Sequence, residues 1–166
     1  MYRSLDDFLT DWRYESEATT KVLNNLTDPS LLQKVDPEGR SIGQIAWHIA
    51  TAPVEMLNHV GIKVDGHSRN EAIPNRAKDI ASAYQRASAS LGEQLKKNWS
   101  DKMLLEEIAI FRDKWSRGKF LHSLILHQAH HRGQMTVLMR QGGLKVPGVY
   151  GPSREEWSAM GARPQQ

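Results

Sequence analysis

Hydrophobic residues recur at intervals of three and four along most of this chain, which is the spacing of one face of an α-helix. Four long segments carry the pattern, so the sequence predicts an all-α protein. The predicted helices run over about Leu5–Leu26, from Ser41 through Leu57, over about Arg76–Trp99 and over Lys119–Gln141. A short further helix is predicted from Ser153 to Met160.

Polar residues and a proline indicate where these helices begin and bend. Ser41 and Gln44 have the spacing of a capping box, in which each side chain bonds the backbone N–H of the other residue. Ser153 and Glu156 have the same spacing before the short last helix. Pro53 lacks a backbone donor, and we expect it to bend the second helix or to restart it.

The segment Met103–Trp115 supports two interpretations, because Ile108, Ile110 and Phe111 suit either a short strand or an extended connection. Elsewhere the connections are polar and contain glycine and proline. Four main helices with long first and second connections predict a four-helix bundle with a short extra C-terminal helix. Residues 1–166 are expected to form a single domain.

Composition narrows the functional classes. The 166 residues carry a formal net charge of +3, and no run of lysine and arginine is longer than the pair Lys96–Lys97. Nucleic-acid-binding proteins usually show a clustered basic stripe, so nucleic acid is not an expected partner. No apolar run approaches the roughly 18 residues that a membrane span needs. The chain has no cysteine, which excludes disulfides and thiolate metal sites, and we expect a cytoplasmic protein that does not enter membranes.

Two histidines of the fourth predicted helix lie on its apolar face. His127 and His131 are four residues apart, so a helix places one above the other. The stripe that they share consists of Phe120, Leu124, His127, His131, either Gln134 or Met135, and Leu138. Both imidazoles should therefore point into the bundle.

His48 has the corresponding position on the second predicted helix, between Ile45 and Ala52 on the apolar face. An imidazole left unpaired in an apolar core costs about 1–3 kcal/mol, whereas a shared metal ion would use the ring lone pairs. Three histidines suit zinc, nickel, copper or iron, and they leave coordination positions open for water or substrate. The alternative is that the three side chains are ordinary packed core residues.

Other polar residues near the stripe each have two interpretations. Glu55 follows His48 by two helical turns and is either a general base near the metal or a solvated carboxylate. Arg132 either anchors the loop around Tyr150 or binds an acidic group of a substrate. His130 is interpreted as a residue behind the ligands or in helix packing.

The remaining histidines, His59, His67 and His122, are expected at the surface because they lie in polar segments or off the stripe. Gln128 stands where the HExxH motif of metalloproteases has a glutamate. A metalloprotease of that type is therefore disfavoured.

Two segments of the chain resemble the DinB-like superfamily. The run HHRGQMTVLMRQGG, followed by VPGVYGPS and a tryptophan, is similar to the C-terminal signature of that family, and IGQIAWHIA is similar to its second-helix histidine segment. The resemblance implies an up-down-down-up four-helix bundle that forms homodimers. If the first and fourth helices expose apolar residues beyond one core, we expect them to pair across a two-fold axis. The resemblance also implies a divalent metal, for which we expect zinc or nickel, held by His48, His127 and His131.

Members of this family include thiol S-transferases that use bacillithiol or mycothiol, and a mycothiol-dependent maleylpyruvate isomerase. The resemblance therefore implies a metal-dependent enzyme of detoxification or stress response that activates a low-molecular-weight thiol for transfer to an electrophilic small molecule. Because the chain has no cysteine, the nucleophilic sulfur would come from that thiol. Two alternatives stay open: a hydrolase that uses metal-bound water, and a non-catalytic metal-binding stress protein.

Overall fold

Helices account for most of residues 1–110 and 112–163, the part of the chain that this computed structural model describes. The four long helices are α1 (Leu5–Asn24), α2 (Ile42–His59), α3 (Ala77–Asn98) and α4 (Arg117–Gln141), and the short α5 spans Arg154–Ala159. Two strands, β1 (Glu107–Ile110) and β2 (Asp113–Ser116), lie between α3 and α4, and short 3₁₀ turns occupy Pro29–Leu32 and Asp101–Leu105. The prediction of a helical bundle with a short last helix is confirmed.

Side-chain caps define the starts of α1 and α2. The Ser4 hydroxyl accepts a hydrogen bond from the backbone N–H of Asp7. Both bonds of the predicted capping box form at α2, where Ser41 and Gln44 each accept from the other's backbone N–H. These bonds satisfy donors that the first turn of a helix leaves without intrahelical partners.

The second predicted capping box, at α5, forms only in part. The backbone N–H of Ser153 donates to Glu156 Oε2 at 3.0 Å. The Ser153 hydroxyl, however, has no hydrogen-bond partner among the described residues. Glu156 also accepts from the backbone N–H of Gly148 at 2.8 Å, so this carboxylate connects the preceding loop to the helix.

The long helix α2 runs through Pro53 without restarting, so that alternative of the sequence prediction is wrong. A proline inside a helix removes one backbone hydrogen bond and crowds the preceding turn, which is a local cost. Pro53 and its neighbours Ala52 and Val54 are all buried, and their packing offsets that cost.

The segment that the sequence left undecided contains an antiparallel hairpin. Its register pairs Glu107 with Ser116 and Ile110 with Asp113. The side chain of Ile110 is buried in the same apolar cluster as the first residues of α4. The hairpin therefore packs against the end of the bundle where α4 begins.

Core contacts fix the direction of the four long helices. One apolar cluster joins the second halves of α1 and α4 to the first halves of α2 and α3. The other cluster joins the first halves of α1 and α4 to the second halves of α2 and α3. Helices α1 and α4 thus run one way and α2 and α3 run the other, which confirms the up-down-down-up topology.

A layer of polar side chains separates the two apolar clusters, halfway along the bundle. The buried or partly buried members of this layer are Glu15, Thr19, His48, Thr51, His127, Gln128, His131 and Arg132. Buried polar groups cost free energy unless they are hydrogen-bonded or bind a ligand. The layer therefore requires partners, and it contains the candidate site.

Helix α4 contributes to both apolar clusters and to the polar layer between them. Phe120, Leu124 and Leu138 are buried as predicted, and Met135 rather than Gln134 completes the stripe. None of the described helices, α4 included, combines the length and the apolar composition that a bilayer span requires.

Candidate metal centre

Three histidines meet in the polar layer, one from α2 and two from α4. Each of His48, His127 and His131 offers a ring nitrogen, and these atoms all lie within 4.8 Å of one another. The Nε2 atoms of His48 and His127 are 3.0 Å apart. His131 is buried, and the other two rings are partly buried. The structure thus brings together the three histidines that the sequence singled out, in a group that could hold a metal ion.

Helix geometry explains this convergence. His127 and His131 lie on successive turns of α4, so both rings face the same neighbouring helix. That neighbour is α2, which runs antiparallel to α4. Ile45 and Ala52 are buried on either side of His48 and hold that part of α2 in the core.

Gln134 fixes the orientation of the His131 ring. Nδ1 of His131 and Oε1 of Gln134 are 2.8 Å apart. Because an amide oxygen only accepts, Nδ1 carries the proton and donates it, which leaves the lone pair on Nε2. Histidines that bind metals commonly donate their second N–H to such a partner. The exposed Gln134 therefore orients a candidate ligand from outside the core.

The spacing of His48 and His127 fits a shared ion. Two nitrogens bound to one tetrahedral zinc at about 2.0–2.1 Å lie roughly 3.3 Å apart. The observed separation of 3.0 Å is close to that value. Nδ1 of His127 is buried and has no hydrogen-bond partner in the described part of the chain. A set of three imidazole donors matches the preference of zinc, nickel and related transition ions.

Burial keeps these imidazoles neutral. Desolvation lowers the pKa of His48 to about 4, with smaller contributions from the charges of His131 and two nearby arginines. Desolvation also lowers the pKa of His127 to about 4, and neighbouring positive charges add to the effect. Burial likewise lowers the pKa of His131, although its hydrogen bond to Gln134 opposes the shift. At neutral pH each ring therefore offers a lone pair to a metal ion.

An apolar cleft of about 440 Å³ reaches His48 and His127. We call it the aromatic cleft, because Trp115 and Phe120 line it together with Ile110. Its volume lies in the range of sites that bind small organic molecules. A molecule held there would contact two of the three histidines.

A second cleft, of about 290 Å³, shares His48 and Arg69 with the first. We call it the arginine cleft, because Arg40 and Arg69 line it, next to Trp47. The sequence prediction missed both arginines. Arg40 precedes α2 and Arg69 lies between α2 and α3, so neither belongs to a helical pattern that would have placed it.

A third cleft, of about 530 Å³, reaches His131 from the side of His130. His130 is exposed, and its ring centroid is 4.8 Å from that of His131. His130 thus packs against a candidate ligand, and its interpretation as a residue behind the ligands stays a prediction.

Glu55 lines the aromatic cleft together with His48 and His127. Its carboxylate is 2.9 Å from the guanidinium of Arg69, and the Glu55 side chain is 41% exposed. The position suits both interpretations drawn from the sequence, a general base near the metal and an ion-paired surface carboxylate.

The remaining histidines differ in exposure. His59 is exposed, as predicted, and it lines the aromatic cleft. His67 and His122 are only partly exposed, so their assignment to the surface is incomplete. The reason is aromatic packing, since the His67 ring contacts Trp47 and the His122 ring contacts Tyr2.

Arg132 faces α1, whereas the adjacent His131 faces α2. Its guanidinium donates to Glu15 Oε2 and to the Tyr150 hydroxyl, both at 2.6 Å, and to Thr19 Oγ1 at 3.0 Å. The Tyr150 hydroxyl lies 2.8 and 2.9 Å from the two oxygens of Glu15. The side chains of Arg132 and Glu15 are 2% and 7% exposed. The prediction that Arg132 anchors the loop around Tyr150 is confirmed.

Sequence reasoning missed several buried members of the polar layer, Glu15 and Gln128 among them. Spacing was the available signal. Glu15 lies three residues after the buried Trp12, and Gln128 lies four residues after Leu124, so both continue the inward stripes of their helices. A charged or amide residue at such a position indicates a buried polar contact.

A bundle with this topology, with three histidines shared by α2 and α4, defines a class of candidate metal-binding proteins. The chain belongs to the DinB family, whose sequence model matches residues 1–166. It is 42% identical over 161 residues to YrdA of Bacillus subtilis (strain 168), a protein of uncharacterised function, and the match covers 97% of this chain and 96% of YrdA.

Two solved structures of DinB-like proteins are also similar to this chain. A DinB-like protein from Bacillus cereus ATCC 10987 is 45% identical with a TM-score of 0.86, covering 90% of this chain and 100% of that one. The DinB-like protein YjoA from Bacillus subtilis is 17% identical with a TM-score of 0.67, covering 86% of this chain and 97% of that one. At that identity the second likeness concerns the fold alone.

Proposed function

We propose that the protein binds zinc or nickel through His48, His127 and His131, and that it activates a low-molecular-weight thiol for transfer to an electrophilic small molecule. The observation that carries the proposal is the placement of three ring nitrogens within 4.8 Å of one another, where two clefts share His48. The resemblance to thiol S-transferases supports the choice of chemistry, and membership in the DinB family agrees with it.

A divalent transition ion held by three histidines would keep coordination positions open and lower the pKa of a thiol there. The residues of the chain supply the remaining requirements. Gln134 orients the ring of His131, and burial keeps the three rings neutral. In the transfer, the sulfur electron pair forms a bond to the electrophilic carbon, and the leaving group departs with the electrons of the bond that breaks.

Glu55 is the proposed acceptor of the thiol proton. Its carboxylate lines the aromatic cleft beside His48 and is exposed enough to pass a proton to water. The ion pair with Arg69 holds the carboxylate in place.

The proposed function is tested by conjugation of 1-chloro-2,4-dinitrobenzene, whose chloride leaves when a C–S bond forms. Protein loaded with zinc or nickel would be assayed with bacillithiol, mycothiol and glutathione. We expect turnover that requires both the metal and a thiol, that disappears in His131→Ala and that decreases in Glu55→Gln.

His122→Ala is the matched control, because His122 lies on the same helix but contacts Tyr2 instead of the other histidines. It should keep its activity. Hydrolysis of ester or amide substrates without added thiol, with no conjugation, would contradict the proposal and support the hydrolase alternative.

We further propose that the protein forms a homodimer in the cytoplasm, with α1 and α4 at the interface. Helix α4 exposes Leu126 and Val137, and α1 exposes Tyr14, each to at least half of its surface. A second copy related by a two-fold axis would cover such residues. The absence of cysteine accords with a reducing compartment. A monomer in sedimentation at micromolar concentration would contradict the dimer.

A further inference from the structure

The chemistry described so far uses the arginine cleft only through Arg69, which holds Glu55 in place. Among the described residues, its lining contains the cations Arg40 and Arg69 and no aspartate or glutamate. His48 also lines this cleft, so a ligand there would lie next to a candidate metal ligand. An anion is the ligand that such a surface favours.

The positive charge of the cleft is not fully compensated by the protein. Arg69 is 2.9 Å from the carboxylate of Glu55. Arg40 has no ion pair with any described residue. A single exposed arginine is usually just solvated. Here two arginines from separate connections line one concave surface together with a histidine, which solvation alone does not explain.

The rest of the lining is polar as well. Gln44 and Asn70 contribute side-chain amides. Trp47 is 4% exposed, and its indole N–H has no acceptor among the described residues. The lining of the arginine cleft is therefore cationic and polar, whereas the aromatic cleft is mainly apolar although Arg69 also lines it. The two clefts share His48 and Arg69, and the rest of their linings offers different surfaces to two different molecules.

We propose that the arginine cleft binds a carboxylate of the thiol substrate, and that the aromatic cleft receives the apolar electrophile. This assignment rests on the proposed thiol-transfer function and specifies the thiol as an acid-bearing one. A guanidinium group is planar and can make two parallel hydrogen bonds to a carboxylate, which a neutral thiol cannot accept. Anchoring the thiol through its carboxylate would leave its sulfur near His48 and keep the aromatic cleft free.

Thiols of similar size and different charge test the assignment. Zinc-loaded protein would be titrated by calorimetry with 3-mercaptopropionate, 2-mercaptoethanol and cysteamine, which are anionic, neutral and cationic. We expect the anionic thiol to bind about tenfold more tightly than the neutral one. This ratio of dissociation constants is near the low end of what one hydrogen bond to a charged group contributes. The preference should disappear in Arg40→Gln, with no change in the dissociation constant of 2-mercaptoethanol.

Two further variants sharpen this test. Arg40→Lys keeps the charge but not the planar fork, so it should retain part of the preference. Arg86→Gln removes an exposed arginine of α3 that does not line the cleft, so it should retain all of it. Equal affinity for the three thiols in the wild-type protein would overturn the proposal.

A second measurement separates failure of the carboxylate site from failure of the thiol chemistry. Succinate would be titrated into metal-free protein while the NMR signal of the Trp47 indole N–H, assigned with Trp47→Phe, is followed. We expect a shift that disappears in Arg40→Gln and persists in Arg86→Gln. A succinate-dependent shift without any thiol binding would refute the thiol function and support the carboxylate site, whereas no shift would count against the site itself.

Discussion

Two polar clusters lie side by side halfway along the bundle, and they satisfy their polar atoms in opposite ways. Glu15 and Arg132 form a buried ion pair at 2.6 Å, and the Tyr150 hydroxyl contacts both partners. The histidine cluster contains no such counter-charge. Nε2 of His48 and Nε2 of His127 are at hydrogen-bond distance from each other, 3.0 Å, whereas Nδ1 of His127 has no partner in the part of the chain described.

This difference distinguishes a structural polar cluster from a candidate site. Polar groups that stabilise a fold have hydrogen-bond partners within the protein, whereas groups that bind a ligand keep donor or acceptor atoms without a partner. His131 and Arg132 are consecutive, yet they belong to different clusters. A helix turns by about 100° per residue, so one side chain faces α2 and the next faces α1.

The largest effect is expected from Glu15→Ala, which leaves the guanidinium of Arg132 buried without its counter-charge. Removing one partner of a buried pair costs about 3–5 kcal/mol. The free energy of unfolding of metal-free protein, measured by urea denaturation, should fall by about that amount. Metal affinity of the folded variant should stay unchanged.

The double variant Glu15→Leu with Arg132→Met is the control for this prediction. It removes both charges together, and replacement of a whole buried pair by apolar residues is often close to neutral. If the double variant is as unstable as Glu15→Ala, the cost does not come from an unpaired buried charge.

The next effect concerns the histidine cluster. Gln134→Ala removes the acceptor that holds Nδ1 of His131. Loss of such an outer partner costs about 10–100-fold in metal affinity. Competition titration with a zinc chelator would measure the change, and stability without metal should hardly differ because Gln134 is exposed. Unchanged zinc affinity would show that Gln134 does not orient a ligand.

A smaller effect is expected from Tyr150→Phe. The substitution removes one hydroxyl that bridges Arg132 and Glu15 but leaves their ion pair intact. A hydrogen bond to a charged group contributes about 1.5–3 kcal/mol when buried, and exposure of Tyr150 should reduce the loss to about 1 kcal/mol. Thermal denaturation would measure this loss of stability. A loss as large as that of Glu15→Ala would contradict the expected ranking of the two substitutions.

The smallest expected effect is that of pH on metal affinity. Three histidines with the ordinary pKa near 6.5 would lose roughly a thousandfold in affinity between pH 7.5 and 5.5. The pKa values of His48 and His127 are about 4, and that of His131 is also lowered, so the loss should stay below about tenfold. Calorimetric titration of the ion at the two pH values provides the measurement.

The same pKa shifts act on stability in the metal-free protein. As pH falls from about 6.5 towards 4, the unfolded chain takes up protons that the folded chain does not bind. The free energy of unfolding should therefore decrease over that interval and reach its full value above about pH 6.5. Stability that rises on acidification over this range would contradict the neutral, buried state of the rings.

The histidine cluster was predictable because all three residues follow the apolar period of long helices, which the sequence displays directly. The arginine cleft was not, since Arg40 and Arg69 lie in connections whose paths depend on tertiary packing. The hairpin was left undecided because strands of four residues are too short to show a period. Glu15 lies on the inward face of α1, but a search for apolar residues does not select a charged side chain.

The central claim is that the histidine cluster binds a metal ion while the Glu15–Arg132 cluster does not need one. The most direct test is elemental analysis of untagged protein, before and after incubation with zinc and nickel, for the wild type and His131→Ala. We expect near-stoichiometric zinc or nickel in the wild type and its loss in His131→Ala, with His122→Ala unaffected. A wild-type protein that holds no metal even after incubation would contradict the account and leave three packed histidines.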